Sequence, residues 1–318
     1  MNILLINQNS ALNIGDFAIH RETIRLVEQA FPGARLVLTY HDRARAQQHL
    51  PGYTILEPIE AWAYQVGAQG QILFSPPVGR LFALAALAVA VLVYRLRGSA
   101  PRVFRDPEKQ ALLVAYTSAD LVLASGGGYI YDTAVAASPL ARLITFVMWS
   151  CFLLGGNLLA IALNKPLVLL PQSIGPLHEP LQRRLVAWMI RRARFTFVRE
   201  RESLALLDAL GCGSKAVYAP DMAFGMAGAE PGSARAILDA AGLERPHQLV
   251  FGEGTRRTGT GGTSRSSAPF LRGQVLAAGC GWGRFGRGLE QLLHLGRVHT
   301  LHQMLVLADG VVAQRALG

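Results

Sequence analysis

Lysine is nearly missing from this 318-residue chain. It occurs only at Lys109, Lys165 and Lys215, so the formal net charge of +10 is carried by arginine. Alongside abundant Ala, Gly and Leu, that skew reads as the signature of a GC-rich gene. Nucleic-acid binding is not expected, because neither an aromatic-interleaved basic face nor zinc-finger spacing accompanies the charge. Cysteine is equally sparse. Cys151, Cys212 and Cys280 lie far apart with no CxxC pair, which excludes a disulfide scaffold and a cysteine-ligated zinc site and suits the cell interior. The eight histidines show no HxxxH or HExxH spacing, so no metal site is assigned. Charged residues make up only 16% of the chain against 51% hydrophobic ones, which rules out a disordered protein.

Long hydrophobic runs are also fewer than they first look. The N-terminus passes from Asn2 straight into Ile3-Leu4-Leu5-Ile6, without the basic stretch or cleavage site of a signal peptide. Leu81 to Tyr94 is uncharged but has fourteen residues. At about 1.5 Å per residue it reaches roughly 21 Å, short of a ~30 Å hydrocarbon core. It reads as a buried helix, or as one lying in a membrane interface with Arg95 and Arg97 at the headgroups. Leu143 to Leu163 is longer but is interrupted by Gly155-Gly156-Asn157, and Asn164-Lys165-Pro166 leads on to another apolar run. This pattern predicts a helix over a sheet, a turn, and a buried strand.

Up to about Phe224, short apolar strands alternate with amphipathic stretches. Strands are expected at Ile3–Asn7, Arg35–Tyr40, Leu121–Ala124, Leu167–Leu170, Phe195–Val198 and Ala216–Tyr218. Helices are expected at Phe17–Ala30, Pro107–Thr117, Leu140–Gly155, Glu179–Arg194 and Glu202–Leu210, the last capped by Gly211. Continuous apolar strands separated by helices imply a parallel sheet covered on both faces. The fold class is α/β, a Rossmann-like doubly wound domain over residues 1–225.

Ligands of such sheets bind beyond the carboxyl ends of the strands, and polar or glycine clusters follow five of the predicted strands. Asn13-Ile14-Gly15-Asp16 opens a helix: Asp16 could cap it while Gly15 permits a left-handed turn, or Asp16, oriented by Asn13, could accept a proton from a sugar hydroxyl. Gly126-Gly127-Gly128 is either a turn or a place where backbone amides approach an anion. Gln172-Ser173-Ile174-Gly175-Pro176, read as lying beside Lys165, is either a turn or a set of uncharged partners for a polyol. In Arg199-Glu200-Arg201-Glu202-Ser203, Ser203 could cap a helix and an arginine could pair with a glutamate; alternatively Arg199 holds a carboxylate or phosphate. Asp221 is a turn residue or part of the cleft floor. His20, one turn beyond Asp16, reads as a helix-face residue. Neither GxSxG nor a Walker A motif is present.

Taken in order, these clusters resemble the polysaccharide pyruvyl transferase family. The marks are Asn13-x-Gly15-Asp16, Gly126-Gly127-Gly128, Gln172-Ser173-Ile174-Gly175-Pro176, Val198-Arg199-Glu200-x-x-Ser203 with Leu210-Gly211, and Pro220-Asp221-x-x-Phe224, over about residues 1 to 225. The Arg-flanked apolar segment at 80–97 also looks like insertions in this family. The resemblance implies a GT-B-like architecture, with two Rossmann-like domains across a cleft, of which residues 1–225 are the first. It implies transfer of a pyruvyl group from phosphoenolpyruvate to two hydroxyls of a sugar, in cell-surface polysaccharide synthesis. Phosphoenolpyruvate is then a donor substrate, and no cofactor or metal is implied. Asp16 and Arg199 would be catalytic. Asn13, Gly15, Gly126, Gly127, Gly128, Gln172, Ser173, Gly175, Glu200, Ser203 and Asp221 would bind substrate. The acceptor would be a sugar or lipid-linked saccharide, the location cytoplasmic, and the segment at 80–97 a contact with the inner face of the membrane. Two other readings stay open: a GT-B-like glycosyltransferase using a nucleotide sugar, and a non-catalytic anion-binding α/β protein.

Residues 226–247 read as a linker with a short helix. Beyond them, 248–318 turn rich in Gly, Arg, Ser and Thr, as in Gly279-Cys280-Gly281-Trp282-Gly283-Arg284. Such a tail has too little periodic apolar surface to offset its ordering entropy and is expected to be poorly ordered. A GC-rich gene read in a shifted frame yields this bias. The second domain is therefore expected to be truncated or replaced, leaving the chain short of donor-site residues from that half.

Overall fold

The computed structural model describes residues 1–8, 10–62, 64–66, 72–74, 77–132 and 138–226. The expected linker and tail beyond residue 226 lie outside the described residues. The strands are β1 (Asn2–Gln8), β2 (Arg35–Tyr40), β3 (Thr54–Leu56), β4 (Tyr64–Val66), β5 (Ile72–Phe74), β6 (Leu121–Ala124), β7 (Gly127–Ile130), β8 (Leu167–Ile174), β9 (Phe195–Val198) and β10 (Ala216–Tyr218). The helices are α1 (Ile14–Ala30), α2 (Arg43–His49), α3 (Pro77–Arg97), α4 (Pro107–Ser118), α5 (Pro139–Leu153), α6 (Gly155–Ala162), α7 (Pro180–Arg192) and α8 (Arg201–Ala209).

The main sheet runs β10-β9-β8-β6-β1-β2-β3 with every pair parallel, while β4 and β5 form a separate antiparallel pair. This is the Rossmann-like, doubly wound order. After β1 the chain builds outward to β3, then returns to lay β6 along the opposite edge of β1. The reversal opens a crevice at the carboxyl ends of β1 and β6.

Strand pleating explains why both faces are covered. In β1, Leu4 and Ile6 join the layer of α4, α6 and α7, while Ile3 and Leu5 join that of α1. All four are at most 1% exposed. Each contributes roughly 1.5–3 kcal/mol relative to leaving it in water. Helix ends follow local chemistry. Asp106 caps α4 ahead of Pro107, and Gly211, at φ 66°, stops the chain after α8.

Several expectations change in detail. Leu140–Gly155 is not one helix: α5 ends at Leu153 and α6 restarts at Gly155, a region weakened by consecutive glycines. β8 continues to Ile174, so Gln172 and Ser173 are strand residues rather than part of a following loop. The extension exists because β7 and β9 offer ladder partners to Gln172, and β7 also to Ile174. The segment around Leu81–Tyr94 forms the longer helix α3. Among the described residues no single helix is long and apolar enough to cross a membrane. The bent pair Thr145–Cys151 with Gly155–Ala162 meets that test by length and composition only. Its second half is core, with Asn157 and Ala160 fully buried.

Candidate active site

Five carboxyl-end segments meet around one guanidinium. Arg199 follows the last residue of β9, and its backbone N–H donates to Gln172 O at 3.1 Å. Its Nε donates to Ser173 Oγ at 2.7 Å and its Nη1 to Asp221 Oδ2. Ser173 in turn donates to Glu200 Oε1 at 2.6 Å. The Arg199 Nη2 lies against the bare face of Gly128, where a Cβ would stand 3.4 Å from it. Among the described residues Nη2 has no hydrogen-bond partner, so one N–H-bearing edge of a held guanidinium remains open. A fork fixed by two neighbours is pre-organised for a carboxylate or phosphate.

Asp16 approaches from the first turn of α1. Sequence reasoning offers it as the cap of that helix, but Asn13 takes this role, its Oδ1 accepting from Gly15 N at 3.1 Å and Asp16 N at 3.5 Å. Gly15 lies inside the turn and is not among the positive-φ glycines, so no left-handed conformation requires it. With capping satisfied, the Asp16 carboxylate is held sideways by Asn13 Nδ2 at 2.9 Å. Burial pushes its pKa above the ordinary carboxylate value, Arg199 and Asn13 pull it back, and Asp221 adds to the rise. Asp16, Arg199 and Asp221 therefore share one electrostatic environment.

Other predicted site residues form the wall behind this cluster. Gln172 is fully buried and its Nε2 donates to Ser125 O at 3.4 Å. Ser203 is 1% exposed and does not cap α8; its Oγ accepts from Ile174 N at 2.8 Å, pinning the end of β8. Gly126 is required by packing, since a Cβ there would lie 2.5 Å from Pro171 O. Gly175 adopts φ 103° against Leu206, a conformation that favours glycine. Gly127 pairs with Gln172 in the ladder. Lys165 is not beside this motif. It sits at the opposite end of β8, where its Nζ donates to Thr117 O at 2.5 Å.

A second polar group, missed in the sequence, lies at the end of β1. Asn7, at φ 64°, donates through Nδ2 to Tyr129 Oη and to Asn157 Oδ1, the latter at 3.1 Å. Beside it, Asn7, Gln8, His41, Glu60 and Tyr129 line a cavity of about 20 Å³, room for one water. The Gln8 carboxamide is 1% exposed and has no partner among the described residues. Glu60 accepts from Gly156 N at 2.8 Å, occupying the start of α6, and burial pushes its pKa up to about 7. Asn7 is the last residue of the strand expected at Ile3–Asn7, and Tyr129 directly follows the triple glycine. Glu60 carries no such signal.

His20 is 2% exposed with its ring edge-on to Tyr40, and burial lowers its pKa to about 4, which makes it a neutral core residue. Asp42 anchors the loop after β1, accepting from Ser10 Oγ at 2.9 Å and Ala11 N at 3.0 Å.

A search of curated proteins finds no match. A family model does match, under the description polysaccharide pyruvyl transferase, over residues 13–254. That interval begins at the cap of α1 and takes in every residue of the cluster around Arg199. Matched over well more than half of its length, the chain belongs to the polysaccharide pyruvyl transferase family.

Proposed function

We propose that the cluster around Arg199 transfers a pyruvyl group from phosphoenolpyruvate to two hydroxyls of a saccharide, forming a cyclic ketal in surface-polysaccharide synthesis. The observation that carries this reading is the hydrogen-bonded group of Ser173, Arg199 and Asp221 beside the open face of Gly128, with Asp16 in its electrostatic field, at the carboxyl edge of the sheet.

Charge divides the roles. The carboxylates of Asp221 and Glu200 stand at the Nη1 and Nε sides of the guanidinium, with Asp16 in the same field, and that acidic side suits a neutral polyol. The acceptor therefore belongs on the Asp16 side. The donor belongs on the open Nη2 edge, beside the bare face of Gly128.

In the reaction the donor's methylene carbon gains a proton and becomes a methyl group, and positive charge develops at the carbon bearing phosphate. The first hydroxyl adds there and gives up its proton to Asp16, whose raised pKa suits a base that must also release protons. Phosphate then leaves, the second hydroxyl closes the ketal, and its proton departs with the phosphate. Of the two hydroxyl protons, one is thus balanced by the new methyl hydrogen and the other by the released phosphate. Arg199 counters the charge that collects on the departing phosphate.

The test uses the full chain with phosphoenolpyruvate and a panel of methyl hexosides offering adjacent or 4,6-related hydroxyls. Acceptor-dependent phosphate release, with a new methyl ketal signal in the proton NMR spectrum, is the expected result. Turnover of a nucleotide sugar with no consumption of phosphoenolpyruvate would overturn the proposal.

A further inference from the structure

Helix α3 is apolar on two faces, and packing against the domain core accounts for only one of them. Leu87, Val91 and Tyr94 pack against the core and Ala90 is fully buried. On the other side Phe82 is 73% exposed, Val89 52%, Leu92 60% and Leu96 77%. At 100° per residue these four fall within an arc of about 80°, a straight stripe turned away from the packed face. From Leu81 to Tyr94 no charge interrupts either face. A helix merely lying on a protein surface would carry polar residues on the outer side.

We propose that this stripe docks the protein onto an anionic lipid bilayer, with α3 lying in the plane of the interface. Three features select that occupant. The helix ends in the exposed Arg95 and Arg97, and Arg102 and Arg105 follow, both exposed, so the flank is basic. Between Pro77 and Arg105 there is no acidic residue, so a second copy of the same face offers no carboxylates to those arginines, whereas anionic headgroups do. The inner face is fixed to the core, and Arg95 Nε donates to Ala162 O at 2.8 Å, which holds α3 along the domain. Its 21 residues therefore present a line of about 30 Å rather than a tip. Apolar burial and arginine–headgroup attraction together are what interfacial helices use.

The inference stands apart from the transfer chemistry, since vesicle binding requires neither phosphoenolpyruvate nor turnover. The test sediments the full chain with phosphatidylcholine vesicles, with and without phosphatidylglycerol. Binding is expected only with the anionic lipid and should weaken as salt rises. Val89→Asp/Leu92→Asp, confined to exposed positions, should lower the partition coefficient about tenfold or more. Arg97→Glu/Arg102→Glu should do likewise and leaves the apolar stripe intact, so loss of folding in the first variant would not obscure the outcome. Absence of wild-type binding, or equal binding by wild type and both variants, overturns the proposal. So does a lipid-free dimer that Val89→Asp/Leu92→Asp converts to monomer, because the stripe would then belong to a second copy.

Discussion

Replacing Glu60 by glutamine isolates the most perturbed carboxyl that the described residues bury beside the crevice. Glu60 is fully enclosed, and its carboxyl caps the start of α6 by accepting from Gly156 N at 2.8 Å. Burial moves its pKa from 4.5 to about 7, against the pull of the Gly156 amide and its own. Below pH 4.5 the group is protonated in folded and unfolded chains alike. Between 4.5 and about 7 the unfolded chain releases the proton while the native state keeps it, so stability falls as pH rises. Above 7 the loss is complete. At about 1.4 kcal/mol per tenfold change in proton affinity, the native state forfeits about 3 kcal/mol across that window. His20 and His41 act in the opposite sense. Burial lowers both to about 4, so they add stability as pH rises toward 6.5 and mask the Glu60 effect in the wild type alone. The carboxamide oxygen of the introduced glutamine still accepts from Gly156, so the difference between the two proteins reports the carboxyl alone. Urea unfolding at pH 5 and pH 7.5 is the assay. Glu60→Gln should gain about 2–3 kcal/mol relative to wild type between those values. Equal pH dependence in the two proteins would refute the argument.

Three further expectations concern the cluster and its wall. Asp16→Asn should leave thermal stability nearly unchanged, because Asn13 performs the capping, and should lower kcat by about 10²–10⁴-fold; near wild-type turnover would remove the base assignment. Gly128→Leu should fill the exposed space beside Arg199 Nη2 and lower kcat/KM for phosphoenolpyruvate by at least about tenfold with little change in Tm, measured by initial rates and thermal melts. Ser203→Ala should instead cost about 1–3 kcal/mol in urea unfolding by leaving Ile174 N unpaired in the interior, with KM unaltered if the fold is intact.

What the sequence made legible follows from how local each signal is. β2, β6, β9 and β10 occupy the residues expected of them, because each is a short run dominated by strand-favouring residues between polar or helical segments. α2, reading Arg-Ala-Arg-Ala-Gln-Gln-His, has only Ala46 buried and so carries no apolar period to detect. β7 begins with two glycines, poor strand formers, and exists because the long β8 supplies a ladder partner. In the site, the types and order of Asp16, Ser173, Arg199 and Asp221 were readable from their places after strands. Their division of labour was not. Whether Ser203 faces a ligand or Ile174 depends on a partner 29 residues away, and the role of Glu60 on one 96 residues away. Gln172 was misplaced for the same reason: its burial is decided by β7 and β9, not by its neighbours in the chain.

The affinity of phosphoenolpyruvate itself, measured by calorimetry on the full chain, bears most directly on the reading of the Arg199 cluster. Losing a charge-assisted pair of hydrogen bonds from a pre-held guanidinium is worth about 1.5–3 kcal/mol. Arg199→Met, which also deprives Ser173 and Asp221 of a partner and should melt somewhat lower, should bind the donor about 10–150-fold more weakly than wild type at a temperature where both proteins are folded. Equal affinity in the two proteins would mean that the donor sits elsewhere.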